Sequence, residues 1–206
     1  WPDTIVPIEE SPKAFDALVK EGKVRYIGTS NDSAYGLTKA NEISKYKGYA
    51  RFESIQNNFS LLNPRFHDEL ANVCRLENIS LLPYSPMAGG VLSGKYCGGF
   101  YPEGSRFATY LKESNKRVQA MAHRFVNERT LEATKKYLEL AKEYEVSPVT
   151  LAISYSKHFD FVASTIVGAR KIEQLDDSLK AFDFKISSEL LKKIEIIQKN
   201  ILYPMG

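Results

Sequence analysis

The chain has 206 residues, of which 43% are hydrophobic, and 28 Lys and Arg set against 25 Asp and Glu give it a formal net charge of +3. This is the balance of one globular domain, long enough to bury roughly 70% of the surface its unfolded form exposes. The positive excess is spread over mixed Lys/Glu segments, no stretch of about 18 apolar residues occurs and no signal-peptide pattern opens the chain, so neither nucleic acid nor a membrane is an expected partner.

In chain order, Trp1-Pro2-Asp3 reads as the exit from a strand and implies sequence upstream. Ser11-Pro12 supplies a cap followed by proline, Phe15, Leu18 and Val19 an apolar stripe, and Gly22 a stop, which together predict the first helix. Val24 to Thr29 is the first predicted strand, and Asp32 or Ser33 caps the next helix. Glu53 to Asn57 is the second strand, Phe66, Leu70 and Val73 mark a third helix, and Ile79 to Tyr84 is the third strand.

Residues 88–127 gather Gly89, Gly90, Gly94, Gly98, Gly99 and Gly104 without a clear period, predicting a long functional loop. It carries Lys95, Arg106, Arg117 and Arg124, the last two reading as solvated charge. Leu131, Leu138 and Ala141 mark a fourth helix; Ser147-Pro148 repeats the cap-and-proline start, with Leu151, Ala152 and Tyr155 as the buried face. Phe161 to Gly168 is the fourth strand, a helix follows from near Ala169, and Ser187 caps a last helix carrying Leu191, Ile194 and Ile197. Strands alternating with helical stretches predict an α/β fold with about four parallel strands in a single domain spanning 1–206.

Polar residues collect at the C-terminal ends of the predicted strands: Ser30-Asn31, Gln56-Asn57, Tyr84-Ser85-Pro86 and Gly168-Ala169-Arg170. In parallel βα arrangements closed into barrels this is the edge where successive loops converge on a site. Taken singly, Ser30 and Asn31 read equally well as helix caps, Gln56 as a rim residue and Tyr84 as core. A flat aromatic face flanked by amides and hydroxyls is also what a planar, amide-bearing heterocycle such as a nicotinamide needs.

In the helix from Ala169, Ile172, Leu175, Leu179 and Phe182 fall on one face, and Arg170, Gln174, Asp177 and Ser178 on the other. The polar stripe starts at the helix N-terminus, where free N–H groups favour an anion, and Arg170 adds a phosphate-gripping guanidinium. His67, His123 and His158 are isolated in sequence and read as surface or packing residues, so no metal site is expected. Cys74 and Cys97, the only cysteines, lack ligand spacing, and a reducing cytoplasm fits them.

On these residues the sequence resembles the aldo-keto reductase family, in particular its bacterial branch similar to potassium-channel β subunits. The carriers run from Glu21 through Gly28-Thr29-Ser30-Asn31, then Ser54-Ile55-Gln56-Asn57-Asn58, then Pro83-Tyr84-Ser85-Pro86-Met87-Ala88-Gly89-Gly90 to Tyr96. Ser164-Thr165-Ile166-Val167-Gly168-Ala169-Arg170 and Gln174-Leu175 complete them. The resemblance implies the C-terminal part of a TIM (β/α)₈ barrel whose first half lies outside this chain, and hydride transfer between NADPH and an aldehyde or ketone.

It further implies that Ser30, Asn31 and Gln56 bond the nicotinamide carboxamide while Tyr84 stacks on the ring. Ser85, Pro86, Met87 and Gly89, with Lys95 and Arg106 from a cofactor-covering loop, would line the pyrophosphate. Gly168, Arg170, Gln174, Asp177 and Ser178 would hold the adenosine end, although the family usually has Asn where Ser178 stands. The family's Asp, Tyr, Lys and His catalytic set would lie upstream of Trp1, so no residue of this chain is assigned a catalytic role. The alternative is a non-catalytic fragment or a nicotinamide-dependent binding subunit. Unpaired strand edges predict a homo-oligomer or aggregate before a monomer.

Overall fold

Three short segments pair in parallel to form the sheet of the computed structural model, which describes residues 2, 3 and 5–205. They are Ile27–Ser30 (β1), Phe52–Asn58 (β2) and Ser80–Tyr84 (β3), in the order β1-β2-β3. The register sets Ser30 beside Gln56, Gln56 beside Leu82, and Asn58 beside Tyr84. Because side chains alternate along a strand, Ser30, Gln56, Asn58, Leu82 and Tyr84 share one face of the sheet, and Ile55 and Leu81, fully buried, point to the other. The reading of Trp1 as a strand exit lies outside the described residues.

β1 begins at Ile27 rather than Val24 because the N–H groups of Lys23 and Val24 both donate to Leu18 O, folding that stretch onto the end of the first helix. The predicted fourth strand, Phe161 to Gly168, is not a regular strand. It runs beside β3 through a parallel bridge between Val162 and Leu81 and three hydrogen bonds: Leu81 N to Phe161 O (2.7 Å), Ala163 N to Leu81 O (3.0 Å) and Ile166 N to Pro83 O (2.8 Å). Pro83 accepts at this edge but has no N–H to return, so the ladder breaks there.

The helices are Glu10–Lys20 (α1), Ala34–Lys47 (α2), Leu70–Glu77 (α3), Arg106–Lys112 (α4), Lys116–Phe125 (α5), Glu128–Glu143 (α6), Pro148–Lys157 (α7), Glu173–Lys180 (α8) and Ser188–Asn200 (α9). Ser33, Ser147 and Ser187 cap α2, α7 and α9 by accepting from Gly36 N, Thr150 N and Leu190 N. α1 instead starts after Glu9, with Ser11-Pro12 inside its first turn, where proline's missing N–H costs nothing. Phe66 lies in a separate 3₁₀ turn, Arg65–His67, ahead of α3.

Residues 88–127 are not the aperiodic loop expected. They fold into a 3₁₀ segment, Ala88–Ser93, followed by α4 and α5, each capped by its own side chain, Ser105 and Asn115. Helices of 7 and 10 residues are too short to display a period beside so many glycines. Gly89, at φ 66°, lies under Phe107, where a Cβ would stand 2.5 Å from the ring.

α8 also departs from expectation. It begins at Glu173 rather than near Ala169 and buries none of its residues; Ile172, Leu179 and Phe182 are 76%, 66% and 81% exposed. Lys157 Nζ lies 5.6 Å from the centre of the Phe182 ring and Leu175 is partly buried, but the rest of this apolar stripe is open to solvent.

The core gathers under β2, β3, α6, α7 and α9. Phe59 lies at its centre, 5.5 Å from the Tyr155 ring, 5.7 Å from Phe161 and 5.2 Å from His67. Asn41 fastens α2 to β2 by accepting from Phe52 N (2.9 Å) and donating to Phe52 O (3.1 Å). Arg75 makes a two-point pair with Asp160, at 2.8 and 2.7 Å, which ties α3 to the entry of the 161–168 segment.

Candidate functional site

Four of the predicted residues come together at the C-terminal edge of the sheet. Asn31 is the centre of the group: it leaves β1 in the left-handed region, at φ 56°, and its N–H donates to Gln56 O at 3.0 Å. Its Nδ2 donates to Ser30 Oγ at 3.0 Å, and Tyr84 OH donates to its Oδ1 at 2.7 Å. The left-handed conformation, tolerated by Asn, turns this side chain back over the sheet edge rather than onward into α2. The Gln56 side chain is exposed beside the group, and the Tyr84 ring is half-buried. Burial raises the Tyr84 phenol above its ordinary value, opposed by the charge of Arg124, so the hydroxyl remains a proton donor in its hydrogen bond.

The chain after Tyr84 turns sharply. Ser85 and Ala88 have φ of 55° and 48°, and Ala88 N donates to Ser85 O at 2.8 Å. Within the turn Ser85 and Met87 are partly accessible, whereas Pro86 is buried. Gly89 is partly accessible too, while Lys95 and Arg106 are exposed; Lys95 Nζ lies 5.2 Å over the Tyr96 ring. Lys95 lies in the turn that follows the 3₁₀ segment, its Nζ close to Gly90, and Arg106 opens α4.

Ile166 N donates to Pro83 O, so the 161–168 segment runs beside β3 up to the residue before Tyr84, and Gly168 and Arg170 follow two and four residues beyond that bond. The N–H groups of Arg170 and Lys171 converge on one oxygen, Gln174 Oε1, at 2.9 and 3.3 Å. Arg170 Nη1 donates to Gly104 O at 2.8 Å. Asp177 is not brought to this group: its carboxylate accepts from Lys180 at 3.1 Å, and its carbonyl accepts from the Thr150 hydroxyl at 2.8 Å, so it faces α7. Lys180, and secondarily Ser147, hold its carboxyl below the usual range. Ser178 donates to Gln174 O, four residues back on its own helix, at 3.0 Å.

A family model described as the Aldo/keto reductase family matches residues 1–199. The chain belongs to the aldo/keto reductase family. It is 31% identical over 207 residues to Protein tas of Escherichia coli, covering 99% of this chain and 57% of that protein. It is 32% identical over 199 residues to a putative voltage-gated potassium channel subunit beta of Schizosaccharomyces pombe, covering 95% and 56%. A protein of Bacillus subtilis named uncharacterized oxidoreductase YrpG is 26% identical over 195 residues, with 95% and 55% covered. The chain therefore spans a little over half the length of these curated relatives.

One residue of this aldo/keto reductase chain that is expected only as solvated charge has further contacts. Arg124, on α5, stands near enough to Tyr84 for its charge to act on the phenol, and its Nε donates to Met205 O at 3.1 Å. Asn127 and Arg129 likewise donate to Pro204 O (3.2 Å) and Leu202 O (2.7 Å), so three side chains fasten the segment 202–205. Arg124 is exposed, as expected of solvated charge, but its ties to Tyr84 and Met205 have no signal in a stretch whose sequence shows no clear helical period. Among the described residues no group of three His, Cys, Asp or Glu is placed to hold a metal, and no helix is long and apolar enough to cross a membrane.

Proposed function

We propose that this chain supplies the cofactor site of an NADPH-dependent oxidoreductase acting on an aldehyde or ketone. The observation that carries the reading is the meeting of Ser30, Asn31 and Tyr84 at one sheet edge, beside an exposed Gln56, with an anion-seeking backbone turn just beyond the segment that runs beside β3. The residues fit the cofactor at both ends. The half-buried Tyr84 ring offers a flat face beside the amides, and Gln174 Oε1 occupies the place an anionic oxygen would take over the N–H groups of Arg170 and Lys171.

In this reading Ser30, Asn31 and Gln56 orient the nicotinamide carboxamide, and Tyr84 forms the floor under its ring. Ser85, Met87, Gly89, Lys95 and Arg106 surround the pyrophosphate, and Arg170 reaches the adenosine 2′-phosphate, with Gly168 and Gln174 beside it. Bound NADPH supplies a hydride to the carbonyl carbon. Holding the ring against Tyr84 turns that transfer into a reaction of fixed partners. The proton for the carbonyl oxygen is assigned to no residue of this chain.

The same reading makes residues 1–206 part of a (β/α)₈ barrel. Ile55 and Leu81 are buried on one face of the sheet, whereas Gln56, Leu82 and Tyr84 on the other remain partly or fully accessible, and β1 is an edge strand. Parallel sheets are normally covered on both faces, so the open face supports further barrel strands closing over it. A second reading, a nicotinamide-binding subunit without turnover, rests on the relatives named as channel β subunits. The test is to assay the protein as its gene encodes it for NADPH oxidation with a reactive aromatic aldehyde. Turnover supports the oxidoreductase, and cofactor binding without turnover supports the second reading.

A further inference from the structure

Asn31 has two donor hydrogens on Nδ2 and two acceptor sites on Oδ1. One of each is spent within the protein, Nδ2 on Ser30 Oγ and Oδ1 on Tyr84 OH, leaving one donor and one acceptor on the same side chain. That remainder is the complement of another primary amide, which presents one acceptor and one donor along its edge. A Ser or Tyr hydroxyl can turn to suit either end of an amide. The two hydroxyls nevertheless differ: conjugation with the ring makes a phenol the better donor and the poorer acceptor. The Tyr84 hydroxyl therefore favours the oxygen end of Asn31, and burial, which raises its pKa, keeps the proton in place. The backbone adds a third fixed point, Asn31 N to Gln56 O.

We propose that the Tyr84 hydroxyl is a positioning residue for Asn31, fixing which end of its amide faces the nicotinamide carboxamide before the cofactor arrives. This inference rests on the cofactor reading above and deepens it. Tyr84 then has two separable parts: a ring that serves as a floor, and a hydroxyl that acts through Asn31. Tyr84→Phe removes only the second.

The test uses the gene-encoded protein and three variants, Tyr84→Phe, Asn31→Ala and the double substitution, with two probes. NADPH carries the carboxamide; adenosine 2′,5′-bisphosphate lacks the nicotinamide altogether. Tyr84→Phe is expected to weaken NADPH about three- to tenfold, the range of one lost neutral hydrogen bond, and to leave the bisphosphate unchanged. In the Asn31→Ala background the same substitution should cost less than about twofold, because its partner is already gone. In cofactor-free protein, the side-chain amide resonances of Asn31 should shift in Tyr84→Phe. Unmoved resonances, or an equal loss of NADPH affinity in both backgrounds, would overturn the positioning role. Shifted resonances with unchanged NADPH affinity in every variant would instead remove the nicotinamide site itself, and the proposal with it.

Discussion

The Arg170 guanidinium donates to the Gly104 carbonyl at 2.8 Å, joining the turn before α8 to the turn before α4 across 66 residues. An exposed arginine held by one neutral carbonyl keeps most of its five donors free. A 2′-phosphate is a far stronger partner for that group than a carbonyl. Arg170→Ala is therefore expected to weaken NADPH by about 1.5 to 3 kcal/mol, the scale of a charge-assisted hydrogen bond, and NADH by much less. Affinities for both cofactors decide it: equal weakening, or none, removes Arg170 from the phosphate.

His67 predicts an acid limit to stability. Its ring lies 4.4 Å from Phe159, 5.2 Å from Phe59 and 5.3 Å from Phe161. Burial lowers its pKa below the ordinary 6.5; Arg75 lowers it further, and Asp68, Glu195 and Asp160 oppose. The unfolded chain therefore binds this proton more readily than the folded one. The contribution of His67 is complete above pH 6.5 and is lost as the pH falls through the depressed folded value. Thermal unfolding followed from pH 7.5 downward to about 5 should fall more steeply for the native sequence than for His67→Phe, and parallel curves would contradict the assignment.

The two thiols should be inert in the folded protein. Burial pushes Cys74 up to about 11 and raises Cys97 as well, leaving little thiolate at neutral pH. An aromatic disulfide reagent is expected to label Cys97 slowly and Cys74 only on unfolding. Fast labelling of Cys74 in native buffer would show that the α3 side of the core opens.

Residues 1–206 produced alone should self-associate and show no carbonyl reduction. Ile172, Leu179 and Phe182 project from one side, and β1 offers an unpaired edge. Leu179→Glu combined with Phe182→Lys should reduce the association. Solution mass by light scattering provides the check, and a monodisperse monomer of the native 206-residue sequence would contradict the open-sheet account.

What was legible in the sequence was mostly local. Ser33, Ser147 and Ser187 announce their helices because a cap acts within three residues, and the positions of Ser30, Gln56 and Tyr84 at or near strand ends follow from short β-forming runs meeting polar residues. The placement of these three on one sheet face depends on register, which no single strand encodes. The amphipathic pattern of α8 was real, but a pattern says which face is apolar and not whether anything covers it. Asp177 shared the polar stripe with Arg170 and Gln174, yet Thr150 and Lys180 draw it toward α7. Pro83 stands in the sequence inside the third predicted strand, but that its missing N–H would end the ladder to the 161–168 segment depends on which strand pairs with it, which the sequence does not state.

The proposed cofactor site at the C-terminal ends of β1–β3 is tested most directly by titrating NADPH into the gene-encoded protein while following nicotinamide fluorescence, with Tyr84→Ala as the comparison. Removing the ring deletes both the floor and the hydroxyl that holds Asn31. Saturable one-to-one binding with a change in nicotinamide emission is expected, weakened at least about tenfold in Tyr84→Ala. No saturable binding, or binding equally tight with and without the Tyr84 ring, would contradict the account.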